Sequence, residues 1–203
     1  MMSTALTGHP ASGAPHPDDR PLVVGLGGTA RRGSSSEICM RTALEAAEQA
    51  GARVELFTAD DLDLPMYQPA SSDRTERAVA LVEAVRACDG LVLASPSYHG
   101  NVSGLVKNAL DYLEDLRDDA RPYLEGRAVG CVSCAAGWQG TVATLTSLRG
   151  IVHALRGWPT PLGVTVNSAT PVVVDGAVED AELRLRLRLL GEQVVGFARA
   201  RRG

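Results

Sequence analysis

Between residue 22 and the C-terminus, short apolar runs of strand length alternate five times with longer stretches of helical periodicity, and this alternation limits the fold more than any other feature. The strand-like runs are Leu22–Leu26, Arg53–Thr58, Gly90–Ala94, Ala128–Cys134 and Leu162–Val166. Between them lie an alanine-rich stretch ending at Gly51, Thr75–Ala87, Gly104–Asp115, and a segment in which Leu145, Leu148, Val152 and Leu155 recur at three- and four-residue steps. The tail alternates Leu and Arg from Leu183 to Leu189, a pattern a strand could also show. Its helix-forming residues, the acidic pair Glu179-Asp180 ahead of it and the continued spacing Leu183, Leu187, Leu190, Val194 predict a helix. Strands and helices in strict alternation imply an α/β fold: a doubly wound, five-stranded parallel sheet with helices on both faces and right-handed crossovers. Ligands in such folds bind at the carboxyl ends of the strands.

Residues 1–20 carry Pro10, Pro15 and Pro17 among small residues without periodicity and are expected to be a disordered leader, leaving 21–203 as one domain. A net charge of -4 and an aromatic content of 4% argue against nucleic acid as a partner. No apolar run approaches the ~18 residues of a membrane span and no secretory signal opens the chain, so a cytoplasmic protein is expected. Cys131-Val132-Ser133-Cys134 has redox or zinc spacing, but in a strand residues three apart face opposite ways; the four cysteines are read as reduced thiols and no metal site is expected.

Chemistry is concentrated in the loop after the first strand, Gly27-Gly28-Thr29-Ala30-Arg31-Arg32-Gly33-Ser34-Ser35-Ser36. Glycines let the backbone turn and present N–H groups, hydroxyls add neutral donors, and an arginine adds a forked cation beside the positive end of a helix. A Walker loop would need Lys and a hydroxyl after Gly33, and Ser34-Ser35 stand there instead. Gly25-x-Gly27-x-x-Ala30 fits a dinucleotide fingerprint, with Asp60 or Asp61 as the ribose-binding acid. Arg31-Arg32-Gly33, however, lengthens the loop before the capping box Ser34-x-x-Glu37, giving a cup for a terminal monophosphate lined by Thr29, Arg31, Ser34, Ser35 and Ser36.

A second segment, Ser95-Pro96-Ser97-Tyr98-His99-Gly100 running into Lys107-Asn108-Ala109-Leu110-Asp111-Tyr112, joins this loop and Leu62-Asp63-Leu64-Pro65-Met66-Tyr67 in a combination that resembles the NAD(P)H-dependent FMN reductases of the flavodoxin-like superfamily. The resemblance covers nearly all of residues 21–165 and implies strand order 2-1-3-4-5. It implies FMN with its phosphate in the first loop and its ring against Pro96, Ser97, Tyr98, His99 and Gly100, and against a third loop that includes Ser133, Ala136 and Gly137. Family members often carry Glu and Asn where this chain has Ser97 and His99, and Ser where it has Thr29.

The activity implied is ping-pong reduction of flavin by NADPH or NADH, hydride passing to the flavin N5, with free FMN as acceptor and reduced flavin supplied to a flavin-dependent monooxygenase. A quinone, azo or metal-oxyanion reductase using bound FMN, and a flavodoxin-like electron carrier, are the alternatives. Since the cofactor carries the chemistry, no catalytic side chain is required, and none stands out. A homodimer or homotetramer is expected, paired through the third and fourth helices.

Overall fold

The computed structural model describes residues 19–202; residues 1–18 of the expected leader lie outside that range, as does Gly203. Strand β1 (Leu22–Gly27) leads to helix α1 (Ser35–Gln49), followed by β2 (Arg53–Phe57), a 3-10 turn, α2 (Glu76–Ala87) and β3 (Gly90–Tyr98). A short β4 (Asn101–Val102) folds back on β3 before α3 (Gly104–Asp111), then β5 (Ala128–Ala135) and α4 (Trp138–Ala154). The chain ends with β6 (Trp158–Pro159), β7 (Val164–Asn167), a small hairpin β8 (Val173–Val174) and β9 (Ala177–Val178), and α5 (Ala181–Arg202).

The main sheet has the order β2-β1-β3-β5-β6, with β7 also pairing with β5. In terms of the five predicted runs this is the expected 2-1-3-4-5 parallel arrangement, with β6 and β7 sharing the fifth place. The expected strand Leu162–Val166 forms as β7, starting two residues later, and β6 is an additional two-residue pairing ahead of it; the gap between them has a local cause. Pro161 offers no N–H to a ladder, and the Thr160 hydroxyl donates to the Leu162 carbonyl at 2.7 Å, holding the chain in a jog between two short pairings.

Two cores cover the sheet. One face packs against α2, α3 and α4 through Leu81, Val85, Val106, Leu110, Leu148 and Val152. The other packs against α1 and α5 through Met40, Ala43, Leu44, Leu187, Leu190 and Val194. Helices α1 and α5 approach so closely that a Cβ at Gly191 would stand 2.2 Å from the Ala43 carbonyl oxygen. The tail is thus a helix, its Leu183, Leu187 and Leu190 buried and its intervening arginines exposed. Cys131 and Cys134 fall into different cores, as their strand spacing requires.

Candidate functional site

The three predicted loops meet at the carboxyl ends of β1, β3 and β5. Gly27 passes so near β3 that a Cβ there would lie 1.9 Å from the Ala94 carbonyl oxygen, and the same carbonyl accepts the Gly28 N–H at 3.0 Å. Loop one is thereby fixed to the end of the central strand. At the other side, a Cβ on Gly140 would lie 3.0 Å from the Ser97 hydroxyl, so the start of α4 packs directly on loop two.

Loop one presents its donors unevenly. Ser34 is the N-cap of α1: its hydroxyl accepts the Glu37 N–H at 3.4 Å and lies 3.3 Å from the Ser36 hydroxyl, both serines being buried. Ser35 opens the helix and is half-buried. The Thr29 hydroxyl is used within the loop, accepting the Arg31 N–H at 3.1 Å and donating to the Arg31 carbonyl at 2.9 Å. Arg32 pairs with Asp60 at 2.8 Å, which takes that acid out of any ribose-binding role; the arginine in turn holds the carboxyl below its ordinary range. Arg31 is exposed and pairs with no carboxylate among the described residues. Gly33, at φ +70°, has nothing within 4 Å of where a side chain would begin.

Loop two differs from its expected form. Strand β3 does not end at Ala94, where the run Gly90–Ala94 and the following Ser95-Pro96 predict a stop, but runs on to Tyr98, Pro96 standing opposite Cys134. Pairing with β1 has ended at Ala94, so the strand tolerates a residue without an N–H. The Ser95 hydroxyl, fully buried, accepts the Ser103 N–H at 3.0 Å and closes the base of the β3–β4 hairpin. His99 (φ +54°) and Gly100 (φ +81°) form its two-residue turn, in which both positions are left-handed. Tyr98 and His99 are exposed, Ser97 is half-buried and Pro96 is buried.

Loop three is shorter than the expected stretch that included Ser133, because β5 continues to Ala135 and α4 starts at Trp138, leaving Ala136 and Gly137. Ser133 lies inside β5, wholly buried, and its hydroxyl has no hydrogen-bond partner. Trp138 is 60% exposed at the start of α4. Beside it a cavity of about 490 Å³ opens among Asn167, Thr170, Asp180, Leu183 and Arg186.

Sequence reasoning overlooked the support beneath these loops. Asn108, buried on α3, accepts the Tyr67 N–H at 2.9 Å and donates to the carbonyls of Leu64 (3.2 Å) and Pro65 (2.9 Å). The Tyr112 hydroxyl donates to the same Pro65 carbonyl at 2.9 Å. Tyr67 and Tyr112 stack edge to face at 5.2 Å, and Arg74 lies over both while bound to Asp115. The signal was an amide mid-helix in an apolar setting, where it must find backbone partners.

The geometry defines a class: a flavodoxin-like α/β fold, in which ligands bind over the carboxyl edge of the sheet. Residues 21–171 match the family described as NADPH-dependent FMN reductase, and the chain belongs to that family. An FMN-dependent NADPH-azoreductase of Staphylococcus aureus is 33% identical over 141 residues, spanning 68% of this chain and 71% of that protein. Among solved structures, the flavoenzyme NAD(P)H:(acceptor) oxidoreductase FerB of Paracoccus denitrificans superposes with TM-score 0.73 at 18% identity, covering 89% of this chain and 98% of that one. A flavodoxin, WrbA-like protein from Agrobacterium tumefaciens gives TM-score 0.63 at 17% identity, covering 89% and 98%. At these identities the solved structures establish the fold alone; the family establishes an oxidoreductase that uses FMN and NAD(P)H. No described helix is long and apolar enough to cross a membrane.

Proposed function

We propose that the phosphate of FMN sits in loop one and its ring over loops two and three, and that the protein reduces flavin with NADPH or NADH. The donor set fits: the end of α1, the Ser34 and Ser36 hydroxyls and the unpaired Arg31 converge on one short stretch, and Gly33 leaves it open. FMN held there would supply the redox chemistry, hydride transfer between the nicotinamide and an acceptor. The chain's own part is placement. Arg31 and the capped helix end fix the phosphate, and the backbone of Pro96–Gly100 and Ala136-Gly137 presents N–H and carbonyl groups to the ring's polar edge. His99 and Tyr98 border the space above it.

The observation that carries this reading is the meeting of all three loops at one edge, pinned by the Gly28 to Ala94 hydrogen bond and by the contact of Gly140 with Ser97. Purified protein should bind FMN, turn yellow, and bleach when NADPH or NADH is added without air. Colour that does not bleach would indicate an electron carrier, and failure to bind added FMN would end the flavin reading.

A second reading concerns the acceptor. The azoreductase relative and the cavity beside Trp138, whose polar wall includes Asn167, Thr170 and Arg186, both favour a flat organic acceptor such as an azo compound, with free flavin or a quinone as competitors. Rates across an acceptor panel decide among them, and formation of a complex with a flavin-dependent monooxygenase would favour flavin supply. Helix α4 exposes Trp138, Val142 and Ala143, a surface suited to pairing two copies. We therefore expect a homodimer or a dimer of dimers by light scattering, in the cytoplasm.

A further inference from the structure

The loop that would receive the phosphate already holds a carboxylate. Glu37, in the first turn of α1, is 3% exposed, yet its Oε2 accepts the Gly33 N–H at 2.9 Å, inside the stretch that forms the cup. Its other oxygen takes the Arg41 guanidinium at 2.8–2.9 Å. Nearby, the loop's second arginine is occupied by Asp60. Of the cations around the cup, Arg32 and Arg41 are thus balanced by carboxylates of the chain itself, and Arg31 alone is left for an incoming anion.

Resting on the phosphate placement proposed above, we infer that Glu37 is a built-in competitor for the flavin phosphate, holding the affinity down so that FMN exchanges with solution rather than staying as a permanent group. The physical case has three parts. A carboxylate on the Gly33 N–H removes one backbone donor from a site whose affinity comes from such donors. Its negative charge offsets the positive end of α1, which would otherwise attract the phosphate. It is shielded from water, so solvent screens it little and Arg41 on its other oxygen is what offsets its charge. An ordinary capping box has the third-position Glu accept the N–H of the capping residue; here Glu37 reaches one residue further back, into the ligand loop.

Consequently, a chain of this design can take up free FMN, reduce it and release it, as a supplier of reduced flavin must. Glu37 acts here as an affinity-setting residue, and its target is the phosphate alone.

The test is fluorescence titration of the purified protein with FMN and with riboflavin, which lacks the phosphate. Glu37→Gln keeps the shape and removes the charge; it should tighten FMN roughly tenfold and leave riboflavin within twofold. Arg41→Gln, at a half-exposed position, removes the partner that neutralises Glu37 and should weaken FMN several-fold, again sparing riboflavin. Equal or weaker FMN binding by Glu37→Gln, with riboflavin unchanged, overturns the role given to Glu37 while leaving the flavin site in place. If Glu37→Gln does not fold, Arg41→Gln decides alone, and unchanged FMN affinity there overturns the inference. Wild-type protein that binds riboflavin as tightly as FMN would instead refute the phosphate placement beneath it.

Discussion

The two ends of the sheet treat their exposed backbone groups in opposite ways. At the amino end, where helix carbonyls protrude, the chain supplies its own cations. Arg127, only 1% exposed, donates to the carbonyls of Cys88 (3.1 Å), Tyr123 (2.8 Å) and Arg86 (2.8 Å); Arg121 reaches the same turn, and Arg199 caps the end of α1 at Ala50. Burial lowers the proton affinity of Arg127, though a guanidinium remains a cation at neutral pH. At the carboxyl end, where helix N–H groups protrude, Glu37 takes a backbone N–H of the loop and Asp60 takes Arg32, while Arg31 faces solvent. One end is closed by its own side chains; the other is left partly open. On the proposed placement the flavin phosphate enters at that incomplete end.

That contrast can be broken at either side. The largest expected effect is at the closed end: Arg127→Met leaves several buried carbonyls unpaired and should cost about 3 kcal/mol of stability in urea unfolding, without changing FMN affinity of the folded protein. A neutral substitution would mean that water or Arg121 satisfies those carbonyls unaided. At the open end the signs reverse. Arg31→Ala should leave the unfolding midpoint of the flavin-free protein in place but weaken FMN by roughly ten- to a hundredfold, the ~1.5–3 kcal/mol of a charge-assisted bond, with riboflavin unaffected. The smallest effect is a gain. His99 sits at φ +54°, where Asn is better tolerated, so His99→Asn should raise stability by about 0.5 kcal/mol, read as a small rise in the thermal midpoint.

Much of this arrangement was legible in the sequence, because it rests on local rules. Apolar runs two-sided in the sheet, Ser34 three residues before Glu37, and glycines at the end of β1 all announce themselves through period or spacing. What escaped depends on partners distant in the chain. Pro96 looked like a strand terminator because its tolerance depends on where β1 stops, some seventy residues earlier. Ser133, near the end of the predicted run, was also placed in the third loop because nothing local says that β5 carries on past Cys134 to Ala135. Asn108 looked like an ordinary polar position on a helix, whereas it holds the Leu64–Tyr67 segment that lies over forty residues away. Even Glu37 was legible only as a cap: its reach to Gly33 depends on how the loop folds back over the helix end.

The jog between β6 and β7 has a consequence for how copies of this protein can meet. An uninterrupted outer strand would offer a ready template for a strand from another molecule. Here the outermost position beyond β5 is divided into pieces of two and four residues, with Pro159 and Pro161 in or beside the break. At the opposite margin β2 is five residues long and carries Arg53 and Glu55 at exposed positions. Neither border invites a sheet to grow from molecule to molecule. If copies pair as proposed, helical surfaces are where they can meet without fibrous addition at the margins.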